Sequence, residues 1–143
     1  MVAVSTSISI SGAAVSQLLQ QPGGPVWQAA DRAGIATTSR ARIDLTAANL
    51  VSTGVLRNSI EHRTFAESGR VVSRVGTDVG YARYVHEGTS GPIYPRTARV
   101  LRFQPRGSST FVFADSVRGT RETGRFSPFL TNALEQLTTS DYL

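Results

Sequence analysis

The chain opens on an alternation, Val4, Thr6, Ile8 and Ile10 against Ser5, Ser7 and Ser9, which is the two-residue period of a half-buried strand. Ser11-Gly12 punctuates it. Ala13 to Gln21, with Val15, Leu18 and Leu19 on one side, predicts a short helix stopped by Pro22-Gly23-Gly24-Pro25. From Val26 the period changes. Trp27, Ala30, Gly34, Ala41, Leu45 and Ala48 recur at threes, fours and sevens, while Asp31, Arg32, Arg40, Arg42 and Asp44 fall mostly elsewhere, the pattern of an amphipathic helix. Its apolar side is built from small residues, which let another backbone approach closely. Thr37-Thr38-Ser39 weakens its middle and leaves room for a bend.

Leu50 to Ile60 reads as a loop and one helical turn leading into a strand near Ser59 to Ala66. Val71, Val72 and Val75 mark a strand over Arg70 to Gly76, and Asp78-Val79-Gly80 turns the chain into Tyr81 to Gly88, whose spacing suits a short helix. Thr89 to Pro95 is a loop, as Gly91-Pro92 and Pro95 require. A hairpin follows: Leu101 and Phe103 alternate with Arg102 and Gln104, Pro105 to Ser109 turns, and Phe111 and Phe113 return with the same alternation. Gly119 to Phe126 is a charged, glycine-containing loop. Ser127 then offers an N-cap hydroxyl and Pro128 a first helical position, with Phe129, Ala133, Leu134 and Leu137 as the buried stripe of a last helix. These elements predict one α+β domain over residues 1–143: an N-terminal strand and helices, a central antiparallel sheet of about four strands, and a C-terminal helix.

Composition agrees with a single domain of 143 residues that is 40% hydrophobic. No apolar run approaches the roughly 18 residues needed to cross a bilayer, so no membrane segment is expected. The N-terminus lacks a positive n-region, the alternating Val4 to Ile10 is no h-region, and Asn49, Asn58 and Asn132 lie in no glycosylation sequon, which points away from secretion. The first thirty residues carry no charge at all. Two readings stay open for them: a strand and helix packed into the domain, or a segment whose serine face is buried against another subunit.

The positive side chains remove several chemistries. All fifteen are arginine and none is lysine, so there is no P-loop lysine, no Schiff-base lysine and no kinase-type ATP lysine. Without cysteine there are no disulfides, thiol nucleophiles, iron–sulfur ligands or cysteine zinc sites. His62 and His86, 24 positions apart, form no metal-binding spacing, and although Glu61 and Glu87 adjoin them, sequence neighbours do not share a face. No G-x-S-x-G elbow singles out one of the sixteen serines, and the glycine-rich stretches match neither G-x-G-x-x-G nor Walker A. The expectation is a non-enzymatic chain with no cofactor and no metal.

Arg96, Arg99, Arg102 and Arg106 place four cations in eleven residues with no acid, flanked by Tyr94 and Phe103. Three readings remain open: a phosphate-binding strip, a solvated edge strand with its loop, or a protein interface suited to arginine's planar, weakly hydrated fork.

Three blocks then carry a resemblance. Thr53-Gly54-Val55-Leu56-Arg57-Asn58-Ser59-Ile60, Val75-Gly76-Thr77 running through Tyr81-Ala82-Arg83-Tyr84-Val85-His86-Glu87-Gly88-Thr89, and Pro128-Phe129-Leu130-Thr131-Asn132-Ala133-Leu134 resemble the small neck and tail-completion proteins of long-tailed bacteriophages. That family's blocks are T-G-x-L-R-x-S, V-G-T-x-x-x-Y-A-x-Y-V-x-x-G-T and P-F-L-x-x-A-L, in this order and spacing. Asn49 to Gly54 lacks the proline and acid that members often carry before the first block, and His86 stands before Glu87 where others place the acid directly after valine.

The resemblance implies a virion structural protein, made in the host cytoplasm, that forms a homo-oligomeric ring of about six copies in the neck joining capsid connector to tail. Its partners would be head-closure or connector proteins and the tail terminator or tail tube, with DNA passing through the lumen without sequence-specific binding. Within this reading the motif residues are structural: Gly54 and Gly88 for tight turns, Tyr81, Tyr84 and Val85 laying a helix face on the sheet, Phe129 and Leu134 closing the core. Arg57 could pair with Glu87 or with a neighbouring subunit. A ring needs head-to-tail contacts between two different faces, for which Arg96, Arg99, Arg102, Arg106, Arg57 and Glu87 are the candidates. Because a cationic lining would hold phosphate, most arginines are expected to face neighbours or outer solvent. The rivals are a tail terminator capping the tail tube, a sequence-nonspecific nucleic-acid-binding domain, and, more remotely, a small enzyme built on His62 or His86.

Overall fold

A computed structural model of the chain describes residues 2–9, 12, 15, 17, 20–105 and 107–143. Most of the helix predicted over Ala13 to Gln21, including Leu18 and Leu19, and the candidate Arg106 lie outside the described residues. The elements are strand β1 (Val2–Ser9), helix α1 (Pro25–Ala47), helix α2 (Val55–Ser59), strands β2 (Glu61–Glu67) and β3 (Arg70–Thr77), helix α3 (Ala82–Glu87), strands β4 (Leu101–Phe103) and β5 (Val112–Ala114), helix α4 (Phe129–Glu135) and a 3₁₀ turn over Thr139–Asp141.

β3 lies at the centre of an antiparallel sheet of order β1-β3-β2. Ser68 and Gly69, both at positive φ, make the two-residue turn from β2 to β3, the conformation that matches strand twist in a tight hairpin. Strand alternation sorts the sheet into two faces. One carries Val2, Val4, Thr6 and Ile8, then Val71, Ser73, Val75 and Thr77, then His62, Thr64 and Ala66. α1 covers this face with Ala30, Ala33, Gly34, Thr37, Thr38, Ala41 and Leu45, all buried. The small-residue stripe has a measurable purpose: a Cβ added at Gly34 would lie 2.2 Å from Ser73 Oγ and 2.8 Å from the His62 ring. The other face carries Ala3, Ser5 and Ser7, Arg70, Val72, Arg74 and Gly76, and Glu61, Arg63, Phe65 and Glu67. Val72 is buried at its centre, and its serines and charged residues are exposed.

The predicted α+β architecture holds, with the strands divided differently. Three form the main sheet, the N-terminal strand among them, and β4 and β5 pair as a separate two-stranded sheet. β1 pairs with β3 of its own chain, with Val2, Val4, Thr6 and Ile8 toward α1 and Ser5 and Ser7 outward. α1 is one continuous helix of 23 residues. The Thr37 and Thr38 hydroxyls donate to the carbonyls of Ala33 and Gly34, each at 2.8 Å, so the groups that could interrupt the helix bond back along it.

The last helix departs from its predicted cap. Its N-cap is Pro128, with no side-chain cap bond, and Ser127 Oγ instead donates to Asp44 Oδ2 of α1 at 2.6 Å, joined there by Asn132 Nδ2 at 3.1 Å. The buried side chains are Phe129, Leu130 and Ala133, with Leu134 and Leu137 only partly covered. α4 packs on both α1 and β1, which turns the Leu130 side inward. The core joins Ala41, Leu45, Leu56, Ile60, Val75, Ala82, Phe129, Leu130 and Ala133.

Candidate assembly surface

Between Thr89 and Thr120 the chain leaves the body and returns. At the base of this excursion the two threonines exchange bonds: Thr89 N–H donates to Thr120 Oγ1 at 2.7 Å, and Thr120 N–H donates to Thr89 Oγ1 at 2.9 Å. Arg121 Nε adds a bond to the Glu87 carbonyl at 2.7 Å. Gly119 is required by the close approach of the two limbs, because a Cβ there would lie 2.5 Å from the carbonyl oxygens of both Thr89 and Gly91. Gly88, at φ +71°, sits under Arg121 and Phe126 in the same clasp. A bridge between Ile93 and Val117 closes the next level.

Beyond that bridge no described residue from Ser90 to Arg118 is buried. β4 and β5 pair with each other alone. A two-stranded hairpin without a packed face is marginal in water, yet this one is rich in aromatic side chains. Tyr94 and Phe113 are each 63% exposed, and Phe103, Phe111 and Val112 are exposed as well. The register sets Phe103 against Val112 and Arg102 against Phe113. One face is therefore apolar, with Leu101, Phe103, Val112 and Ala114. The other places the Arg102 guanidinium 4.0 Å over the Phe111 ring beside Phe113, a cation–π contact. The phenylalanines of the return strand thus share a face with Arg102, not with Phe103, because the turn sets the register.

The predicted site residues fall into separate groups. Arg96, Arg99 and Arg102 are exposed on this arm. Glu87 pairs with Arg83, one turn earlier in α3, at 2.9 Å, and so does not take Arg57. That bond holds the Glu87 carboxyl below the usual carboxylate range and raises the Arg83 guanidinium. Arg57, half-buried on α2, borders a recess of about 280 Å³ with Leu50, Thr53 and Tyr81. Gly54, at φ +79°, caps α2, and Leu56 is buried. Ser59 and Thr77 share a hydrogen bond of 2.6 Å, which ties the segment before β2 to the end of β3. Gly76 admits β1: a Cβ on it would meet the Val2 carbonyl oxygen at 2.7 Å. Of the three residues expected on the helix-on-sheet face, Val85 packs against the core, whereas Tyr81 and Tyr84 are exposed and Ala82 is the buried residue of the six-residue α3.

The histidines stand in different settings. His62 Nε2 lies 3.1 Å from Asp31 Oδ1, which also accepts from Thr64 Oγ1 at 2.8 Å, so this cluster pins β2 to α1. His86 stacks edge-on against Phe129 at 5.2 Å, and burial pushes its imidazole below its ordinary value. Among the described residues, no three His, Asp or Glu side chains gather as a metal site and no helix is long and apolar enough to cross a membrane.

Sequence reasoning missed the Thr89–Thr120 clasp, whose partners lie 31 positions apart. It also missed the open sheet face. There Arg63 stands directly across from Arg74, and the Arg74 guanidinium lies 5.1 Å from the Phe65 ring centre. A recess of about 520 Å³ bordered by Ser59, Glu61, Arg63, Phe65, Arg74 and Asp78 opens on that side. No family model, no curated protein and no solved structure matches the chain.

Proposed function

We propose that this chain is a non-enzymatic structural protein of a long-tailed phage virion, forming a ring in the neck that joins the capsid connector to the tail. The observation that carries the assembly part is the arm from Ser90 to Arg118. It is tied firmly at its base, has no buried residue among those described, and displays aromatic and guanidinium groups of the kind enriched at protein interfaces. Burying one such aromatic is worth roughly 1.5–3 kcal/mol, which the isolated chain leaves unused. The phage part rests on the three sequence blocks, whose residues occupy turns, core positions and inter-element ties. Such roles suit a scaffold without a reaction centre.

Native mass measurement of the purified protein and antibody labelling of particles test this reading. The expected result is a closed oligomer of about six copies located at the head–tail junction. A strictly monomeric protein absent from particles would overturn it. Gene disruption separates the joining ring from a tail terminator: finished heads beside normal-length free tails for the first, overlong tails for the second.

A nucleic-acid-binding reading draws on Arg96, Arg99 and Arg102, which are exposed on the arm with no carboxylate salt bridge among the described residues. Steep salt-dependent DNA affinity, abolished when these arginines are replaced together, would favour it.

A further inference from the structure

β1 is an edge strand that carries none of the charge, proline or bulge that commonly blunts one, although α3 and α4 pack on it. Its inner side pairs with β3 at eight successive positions, from Val2 with Thr77 to Ser9 with Arg70, with no bulge. Its outer side has no strand partner among the described residues. Folded chains blunt such edges with charge, proline, bulges or brevity, because the unpaired N–H and C=O groups template the addition of another strand. β2, the opposite edge, exposes Glu61, Arg63 and Glu67 along its seven residues, charges that bear on which strand it can accept. β1 has eight residues, no charge and no proline.

We infer that the outer edge of β1 is a strand-addition site, and that its occupant is β2 of a second copy of this chain. The inference rests on the ring reading and names the contact that would build the ring. The two edges have matching lengths, and each chain carries one of each, so their pairing is head-to-tail and can continue from copy to copy. Self-pairing of β2 is disfavoured: centred on Thr64 and antiparallel, it sets Glu61 against Glu67 of the other copy. Joining β1 to β2 instead sets the hydroxyls of Ser5 and Ser7 beside the exposed Glu61, Arg63 and Glu67 on the same sheet face. β1 and β2 are both antiparallel to β3 and so run parallel to each other. Rotation about an axis along the strands preserves that direction. The result is a continuous sheet with α1 on one surface and the serine, arginine and glutamate face on the other.

A chain without cysteine makes the test direct. Ser5→Cys combined with Arg63→Cys introduces two exposed thiols. Within one copy β3 separates these strands, so their Cα atoms are about two strand spacings, ~9.6 Å, apart, beyond the ~7 Å a disulfide can bridge. The expected result, on mild oxidation of the full chain, is a ladder of covalent multimers in a non-reducing denaturing gel that collapses with reductant. Each single variant should stay monomeric there. Ser5→Cys with Glu61→Cys repeats the test for a register two residues away. A dimer from Ser5→Cys alone would mean β1 pairs with itself and would overturn the proposal. So would an intact ring by native mass that yields no ladder with either pair, an outcome that leaves the ring reading standing. A chain that is monomeric at every concentration would sink both. As an independent check, Ser7→Glu, with its fold verified by circular dichroism, should weaken self-association at least tenfold. Unchanged association would count against the strand contact.

Discussion

The body of the molecule and its arm are built from similar residue types under opposite conditions. In the body, β3 is buried along most of its length between two strands and under α1, and Phe129, Leu130, Ile60 and Leu45 lose essentially all contact with water. In the arm, Phe103, Phe111 and Phe113 sit on a hairpin of two three-residue strands in which no described residue is buried. The same side chain therefore stabilises the fold in one place and stays exposed in the other. What distinguishes the regions is a third layer, not hydrophobicity: α1 and α4 close over the sheet, and no described element closes over β4 and β5. The base of the arm is fixed by hydrogen bonds while its aromatic tip adds nothing to the core.

Substitutions can break that contrast. Leu130→Ala in the core should cost about 2–5 kcal/mol in a chemical unfolding measurement, whereas Phe113→Ala on the arm should stay within about 0.5 kcal/mol while lowering self-association. Equal losses of stability would mean that the arm is part of the fold. Gly34→Ala comes next. The added methyl meets Ser73 Oγ and the His62 ring, and overpacking of this kind costs about 1–3 kcal/mol, read as a lower unfolding midpoint. Thr120→Ala removes both bonds that its hydroxyl makes with Thr89. It should cost about 1 kcal/mol and speed amide exchange at the arm's base while leaving exchange in β3 unchanged.

Two smaller effects depend on pH. Burial lowers the His86 pKa, so the unfolded imidazole binds its proton first. Stability should fall as pH drops below the unfolded value of about 6.5, and His86→Gln should flatten that limb in a series of melts. Asp141 is held at about 2 by the Thr138 amide, with the Arg40 guanidinium and the Thr138 hydroxyl assisting. Its contribution is complete above the unfolded value near 3.8 and is lost as pH falls through about 2. Asp141→Asn should therefore melt below the parent at pH 6 and match it near pH 2.

Much of the body was legible in the sequence because it is written in local periods. The alternation before Ser9 is β1, the small-residue stripe is the buried side of α1, and valines at 71, 72 and 75 mark the central strand. The reading went astray where a second element competes for the same side chain. Ser127 reads as a cap and serves Asp44, 83 residues away, because α4 lies across α1. Tyr84 reads as buried and is exposed, since a six-residue helix has one inward face and Ala82 and Val85 take it. For the candidate surface, the arginine cluster and the hairpin were visible in the sequence, a solvated edge among the readings, but the exposure of the hairpin's phenylalanines was not.

The sequence by itself determined the element types, the class of fold and the absence of lysine and cysteine chemistry, since each of these depends on residue identity and spacing along one chain. Only the tertiary structure decided which faces were left over. Whether a strand becomes a centre or an edge, and whether an aromatic hairpin is covered or bare, depends on which distant elements arrive to pack on it. Here α1 and α4 cover one side of one sheet, and the open edge of β1 and the arm beyond Thr89 are what remains.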